Sequence, residues 1–169
     1  ITSPATDPYV ISVGAVDDFA TADRADDRIA DFSSRGRTAY DDLAKPDLAA
    51  PGRRLVSLRS AGSTLDTLYP DRRVTAAGAA DAAYFRLSGT SMAAPVVAGT
   101  IALMLERNPT LSPSQIKKRL RSTAVAVPGA TDLDQGKGMI DARAAVGSID
   151  TSKQYSRHRV TDSFAKDMR

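Results

Sequence analysis

Hydrophobic residues in this chain fall into a few runs separated by polar, Gly- and Pro-containing stretches. The densest run is Val96 to Leu105, where Val96, Val97, Ile101, Leu103, Met104 and Leu105 leave almost no polar face. That pattern predicts a helix buried on most sides. Just upstream, Tyr84-Phe85-Arg86-Leu87 is β-prone and is followed by Ser88 and Gly89. The helix therefore starts near two hydroxyl residues, Thr90 and Ser91. Tyr9 to Val16 is mostly apolar with several β-branched residues, as a buried parallel strand should be. Arg28 to Ser33 alternates with period two, and Arg54 to Leu58 is a further strand candidate. Strand-like runs at 9–16, 28–33 and 54–58, followed by the hydrophobic helix, predict an α/β fold on a parallel sheet, with Ser91 at the N-terminus of a central helix.

The intervening segments supply boundaries. Residues 59–83 are polar and without clear period, which reads as a long surface loop with one helical turn. Asn108-Pro109 stops the hydrophobic helix, because proline cannot continue its hydrogen-bond ladder. Ser112-Pro113-Ser114-Gln115 is a capping box with proline at the first helical position. A second helix follows, with Ile116 and Leu120 on one face. Asp141 caps a last short helix ending near Gly147. Residues 149–169 are polar and aperiodic, so the expected division is a folded part over 1–148 and a mobile tail over 149–169.

Composition narrows the function classes. The chain has 169 residues, 42% hydrophobic and 25% charged, as a globular protein has. It has no cysteine, which excludes disulfides and thiolate metal sites. No apolar run approaches the roughly 20 residues that cross a bilayer. A net charge of +3, from 23 basic and 20 acidic residues, points to neither a nucleic-acid nor a membrane partner. The one dense basic cluster, Lys117-Lys118-Arg119 with Arg121, falls on the second helix and reads as a solvated face.

At the start of the hydrophobic helix, a hydroxyl meets unpaired backbone N–H groups and the positive end of the helix dipole. Taken alone, Thr90 or Ser91 is an N-cap, the commonest role for such a residue. The whole string Gly89-Thr90-Ser91-Met92-Ala93-Ala94-Pro95, however, resembles the nucleophile motif of the subtilisin-like serine peptidases. Ala93 rules out the α/β-hydrolase elbow, which needs a second glycine there. Phe32-Ser33-Ser34-Arg35-Gly36 and Lys45-Pro46-Asp47-Leu48-Ala49-Ala50-Pro51-Gly52 resemble the same family, in the right order. On composition alone both are ordinary turn chemistry. Arg37 stands where the family usually has proline, and Gly136 to Ala142 resembles the closing motif. The 57–60 and 84–89 segments are most like the AprX-type bacterial members, which carry an extended loop between them.

The resemblance runs from about Pro4 to Val146 and implies a subtilisin-like parallel sheet flanked by helices, of which this chain is the C-terminal half. It implies Ser91 as the catalytic nucleophile on a protein or peptide substrate, and Leu87 and Ser88 on the leaving-group side of the cleft. The family's Asp and His motifs, and the Asn that donates to the oxyanion, lie upstream of the segment resembling Ile1 to Val16. The starting Ile1 fits that reading. The missing N-terminal half of the domain is then the expected partner, and apolar surface near Val10, Ile11 and Val13 is expected to be exposed. The single histidine, His158, lies in the Arg-flanked tail and reads as a solvated side chain. Structural calcium and secretion follow from the resemblance only; no acidic cluster has ligand spacing, so no metal residue is assigned. Two classes of function stay open: a serine endopeptidase represented by its nucleophile half, inactive in isolation, or a non-catalytic remnant that keeps the fold as a binding module.

Overall fold

The computed structural model describes residues 1–153; His158 and most of the expected tail lie outside them. Five strands come first: β1 (Val13–Asp17), β2 (Arg28–Ile29), β3 (Gly36–Arg37), β4 (Ala44–Lys45) and β5 (Leu48–Pro51). Then follow β6 (Leu55–Leu58), helix α1 (Thr64–Leu68), a 3-10 turn at Pro70–Arg72, β7 (Arg73–Val74) and β8 (Tyr84–Leu87). The chain continues through helices α2 (Thr90–Arg107), α3 (Pro113–Thr123), α4 (Asp132–Gln135) and α5 (Ala142–Gly147).

The α/β class is as expected, but only part of the sheet is parallel. β1 pairs in parallel with β5, Val13 opposite Leu48 through Val16 opposite Pro51, and antiparallel with β2. Ala49 extends this sheet by a parallel bridge to Met139. β5 lies in the Pro-Gly string that composition reads as a turn; its Leu48, Ala49 and Ala50 are fully buried. The third expected strand, β6, joins a separate antiparallel sheet in the order β6-β8-β7.

The strand expected over 9–16 starts only at Val13; the Ser12 carbonyl ahead of it accepts the Asp47 amide at 2.9 Å, and two earlier carbonyls are claimed by a side chain. Lys117 Nζ takes the Pro8 and Val10 oxygens at 2.8 and 2.7 Å. The strand expected over 28–33 is cut to Arg28–Ile29 by a turn in which the Ser33 amide donates to Ala30. Ser33 Oγ then accepts the Ala15 amide at 3.0 Å, standing in for a strand carbonyl.

Three features at the C-terminal side are local and match their sequence signals. α2 ends at Arg107 with Asn108 as its C-cap. α3 opens on the Ser112–Gln115 capping box, and Asp141 caps α5. Where one helical turn is expected, the 59–83 segment contains α1 and the 3-10 turn at Pro70–Arg72, and also the short strand β7.

Two burial expectations fail. α2 is not covered on most sides: Ala93, Val97, Thr100 and Met104, spaced by three or four residues, form its one fully buried stripe. Ala94, Ala98, Ala102 and Leu103 stand exposed, Leu103 by 51%. The apolar surface near Val10, Ile11 and Val13 is instead half-buried, with Ile11 and Val13 packed on the core.

The basic cluster of α3 is not a solvated face either. Lys117 and Arg119 are 6% and 4% exposed. Lys117 Nζ lies 3.0 Å from Asp47 Oδ1, and Lys45 Nζ donates to Asp47 Oδ2 at 3.0 Å. The Ser12 amide and hydroxyl complete the carboxylate at 2.9 and 3.0 Å. Burial alone would raise the pKa of Asp47. The Ser12 amide and the ammonium groups of Lys117 and Lys45 outweigh it and hold the carboxyl below its ordinary range. Burial lowers the pKa of Lys117, with Asp47 pulling the other way. Arg119 donates to the Ser148 and Asp150 carbonyls, so residues just past α5 are fastened to α3.

Candidate active site

Ser91 is the second residue of α2, and that helix begins without a side-chain cap. The N-cap is Gly89, at φ +155, a conformation that L side chains rarely adopt. Neither Thr90 nor Ser91 therefore serves as the N-cap that its position alone suggests. Met92 and Ala93 bond back to the Gly89 carbonyl at 3.0 and 3.3 Å. Among the described residues, the Ser91 hydroxyl and amide have no hydrogen-bond partner. Pro95 also brings no N–H to the Ser91 carbonyl four residues before it.

Close packing at a glycine holds this helix start against the sheet. Gly52, at the carboxyl end of β5, donates to Val16 at 2.9 Å and accepts the Gly89 amide at 2.8 Å. A Cβ on Gly52 would lie 2.7 Å from the Ala15 Cβ, 3.0 Å from the Gly89 carbonyl and 3.2 Å from the Ala93 Cβ. Ser91 thus stands at the carboxyl ends of the parallel strands β1 and β5, where open α/β sheets place their ligands.

A cavity of about 470 Å³ opens beside it, with Ser91 and Met92 on its wall and Leu58, Leu65, Phe85 and Leu87 lining much of the rest. Leu87 and Ser88 fall on opposite sides of the end of β8. Leu87 faces this apolar cavity, whereas Ser88 lines a smaller basic one with Arg54 and Arg86. Both residues adjoin the nucleophile position, but they border different surfaces.

The 59–83 segment owes its shape to one buried carboxylate. Arg59 Nε and Nη2 donate to Asp66 at 2.6 and 2.8 Å, and Arg73 Nε donates at 2.8 Å. The Gly62 amide adds a fourth bond at 2.9 Å. Hydrogen bonding from Arg59, against the opposing effect of burial, leads the causes that hold this carboxyl well below the usual range. α1 is thereby fixed as one wall of the cavity. Sequence reading missed this, because an Arg-Asp-Arg triangle seven residues apart on each side carries no periodic signal.

The rest of the expected machinery is not brought to Ser91 by the described residues. They contain no histidine, since His158 lies outside them. Among them no three His, Cys, Asp or Glu side chains are grouped to hold a metal ion. The buried carboxylate Asp47 is engaged by three basic side chains and Asp66 by two. Those two carboxylates are therefore not free to hold a cation. No helix among the described residues is long and apolar enough to cross a membrane.

Comparison with known proteins follows the same lines. The profile of the subtilase family (Peptidase S8) matches residues 1–153. The serine protease AprX of Bacillus subtilis is 47% identical over 122 residues, 72% of this chain and 26% of the relative. A halolysin-like extracellular serine protease, Nep, of Natrialba magadii is 38% identical over 108 residues, 64% of this chain and 20% of the relative. Among solved structures, fervidolysin from Fervidobacterium pennivorans, a keratinolytic enzyme related to subtilisin, superposes with a TM-score of 0.65 at 30% identity. That match covers 86% of this chain and 20% of the other. The chain thus spans about a quarter or less of these relatives. With its whole described length matched, the chain belongs to the subtilase family of serine peptidases.

Proposed function

We propose that Ser91 is the nucleophile of a serine endopeptidase, and that this chain supplies the nucleophile-bearing part of its catalytic domain. The observation that carries the reading is a serine hydroxyl with no structural task, at an uncapped helix start beside a cavity. Ser91 Oγ attacks the substrate carbonyl carbon while a base takes its proton. The resulting oxyanion is held by the Ser91 N–H at the positive end of α2. Collapse breaks the C–N bond, the base returns the proton to the leaving amine, and water then releases the acyl group.

The base, its carboxylate and a second oxyanion donor are assigned to residues upstream of the segment described. Support comes from the exposed apolar side of α2, from β1, where only Val16 and Asp17 pair with β2, and from the small share of each relative that the chain covers. On this reading residues 1–148 belong to the peptidase domain, 149–169 form a tail, and the 169-residue chain alone hydrolyses no peptide. Leu87 lies on the leaving-group side, together with Ser88. Secretion is supported by the extracellular relative. The test is hydrolysis of denatured protein by the complete gene product. Ser91→Ala should lower turnover by about 10⁶-fold, as loss of a triad serine does; unchanged turnover would overturn the assignment.

A further inference from the structure

The basic cavity that Ser88 lines is not used by this chemistry. It measures about 310 Å³ and is walled by Arg54, Arg72, Arg86, Asp71 and Ser88. Arg86 lies on β8, Arg54 directly precedes β6, and Arg72 ends the 3-10 turn directly before β7, so all three belong to one small sheet and its edges. Val56 of β6 lies opposite Arg86 of β8, which puts Arg54 diagonal to Arg86 on the same face. On the other side, β7 pairs Arg73 with Phe85 and Val74 with Tyr84, so Arg72 continues the register beside Arg86. The Arg54 amide, at a left-handed φ of +57°, donates to Ser88 Oγ at 2.9 Å and fixes the cavity to the end of β8.

Like charges brought side by side cost stability, so folding alone does not explain this grouping. Arg54 is shared with Asp17 at 3.0 Å, and Arg72 lies over the Tyr69 ring at 4.1 Å. Arg86 has neither hydrogen bond nor ion pair among the described residues, and it is exposed. Asp71 is the cavity's one carboxylate against three guanidinium groups. Planar guanidinium forks match carboxylates with two parallel hydrogen bonds.

We propose that this cavity is a subsite for an acidic side chain of the substrate, so that the peptidase prefers Glu or Asp close to the cleaved bond. The inference rests on the proposed peptidase role of Ser91. Ser88 precedes Ser91 by three residues, at most about 11 Å of chain. An extended substrate advances about 3.3 Å per residue, which places the acidic residue within about three positions of the scissile bond. The positive field also steers acidic segments toward Ser91 at low salt.

Two measurements on the complete gene product test this. In the first, peptides with Glu at each of three positions on either side of the cleaved bond are compared with their Gln counterparts by kcat/KM. One position should favour Glu by about tenfold, the effect of a few partly exposed charge contacts. Arg86→Gln should lower that ratio several-fold, Arg86→Lys should keep part of it, and Arg86→Glu should turn it toward Gln. In the second, fluorescent Glu and Gln peptides are titrated onto the Ser91→Ala protein, where hydrolysis plays no part. The Glu peptide should bind more tightly, with an advantage that shrinks as salt is raised. Equal ratios at all positions with cleavage intact would overturn the subsite and leave the nucleophile standing. Equal, salt-independent binding of the two peptides would overturn it as well. Cleavage that survives Ser91→Ala would remove the nucleophile reading, while the Arg86 series would still decide whether the cavity takes carboxylates.

Discussion

Beside α3, at the amino ends of β1 and β5, Lys45 is 2% exposed, Asp47 5% and Lys117 6%; around the Ser91 cavity, at their carboxyl ends, Leu58 is 81% exposed and Leu65 47%. Each side inverts the ordinary rule of burial, and for opposite reasons. The buried charges tolerate their position because every one is met by a counter-charge or carbonyl, which makes them a completed lock between the 7–12 segment, the 45–47 segment and α3. The exposed leucines, with the bare side of α2, form apolar surface that a finished core would not leave in water. One side of this molecule is therefore closed packing. The other is open apolar surface, covered on the proposed reading by the rest of the domain, and Ser91 sits at its border.

The comparison breaks most sharply at Asp47. Asp47→Ala leaves Lys45 and Lys117 buried without their shared carboxylate, and should cost about 3–5 kcal/mol in urea unfolding. Acid should attack the same point. The Asp47 pKa is lowered by folding, so its contribution is present above the ordinary carboxylate range and lost as pH falls below it. A loss under 1 kcal/mol would mean that the lock is not holding the closed side. Lys117→Met removes one cation but leaves Lys45 on Asp47, orphaning the Pro8 and Val10 carbonyls. It should cost about 1–3 kcal/mol.

On the open side the effects depend on context. If the proposed upstream part covers α2, Leu103→Gln should cost about 2 kcal/mol or more in the complete gene product. In the 169-residue chain the same substitution should stay within about 0.5 kcal/mol. Equal costs in the two would contradict the idea of a surface made to be covered. The smallest effect concerns Met92, half-buried on the cavity wall beside Ser91. Oxidation to the sulfoxide makes it polar and bulkier. Peroxide should lower cleavage by the complete gene product, and Met92→Ala should resist it; equal sensitivity would remove Met92 from the site's chemistry.

What was legible in the sequence is what is encoded locally. The Ser112–Gln115 box, the Asp141 cap and the Asn108 stop each lie within four residues of what they shape, and all three stand as read. β5 was hidden because its strand character comes from β1, some 35 residues away, rather than from Leu-Ala-Ala-Pro itself. The burial of Lys117 depends on Asp47, 70 positions upstream, so a basic run on a helix looked solvated. α2 was read as buried all round because its composition is; only one stripe finds a partner among the described residues. At the site, the hydroxyl-bearing motif marked Ser91, whereas the arginines beside Ser88 were scattered over 33 residues and became a group only through strand register.

The most direct test of the central claim, that Ser91 attacks but only with partners from outside the described chain, is covalent labelling by a fluorophosphonate read by mass spectrometry. The complete gene product should carry the adduct on the peptide containing Ser91 and lose it in Ser91→Ala, while the 169-residue chain, folded by circular dichroism, should carry none. Labelling of the isolated chain at Ser91 that disappears in a His158→Ala variant, or labelling of the complete product at some other serine, would contradict the account.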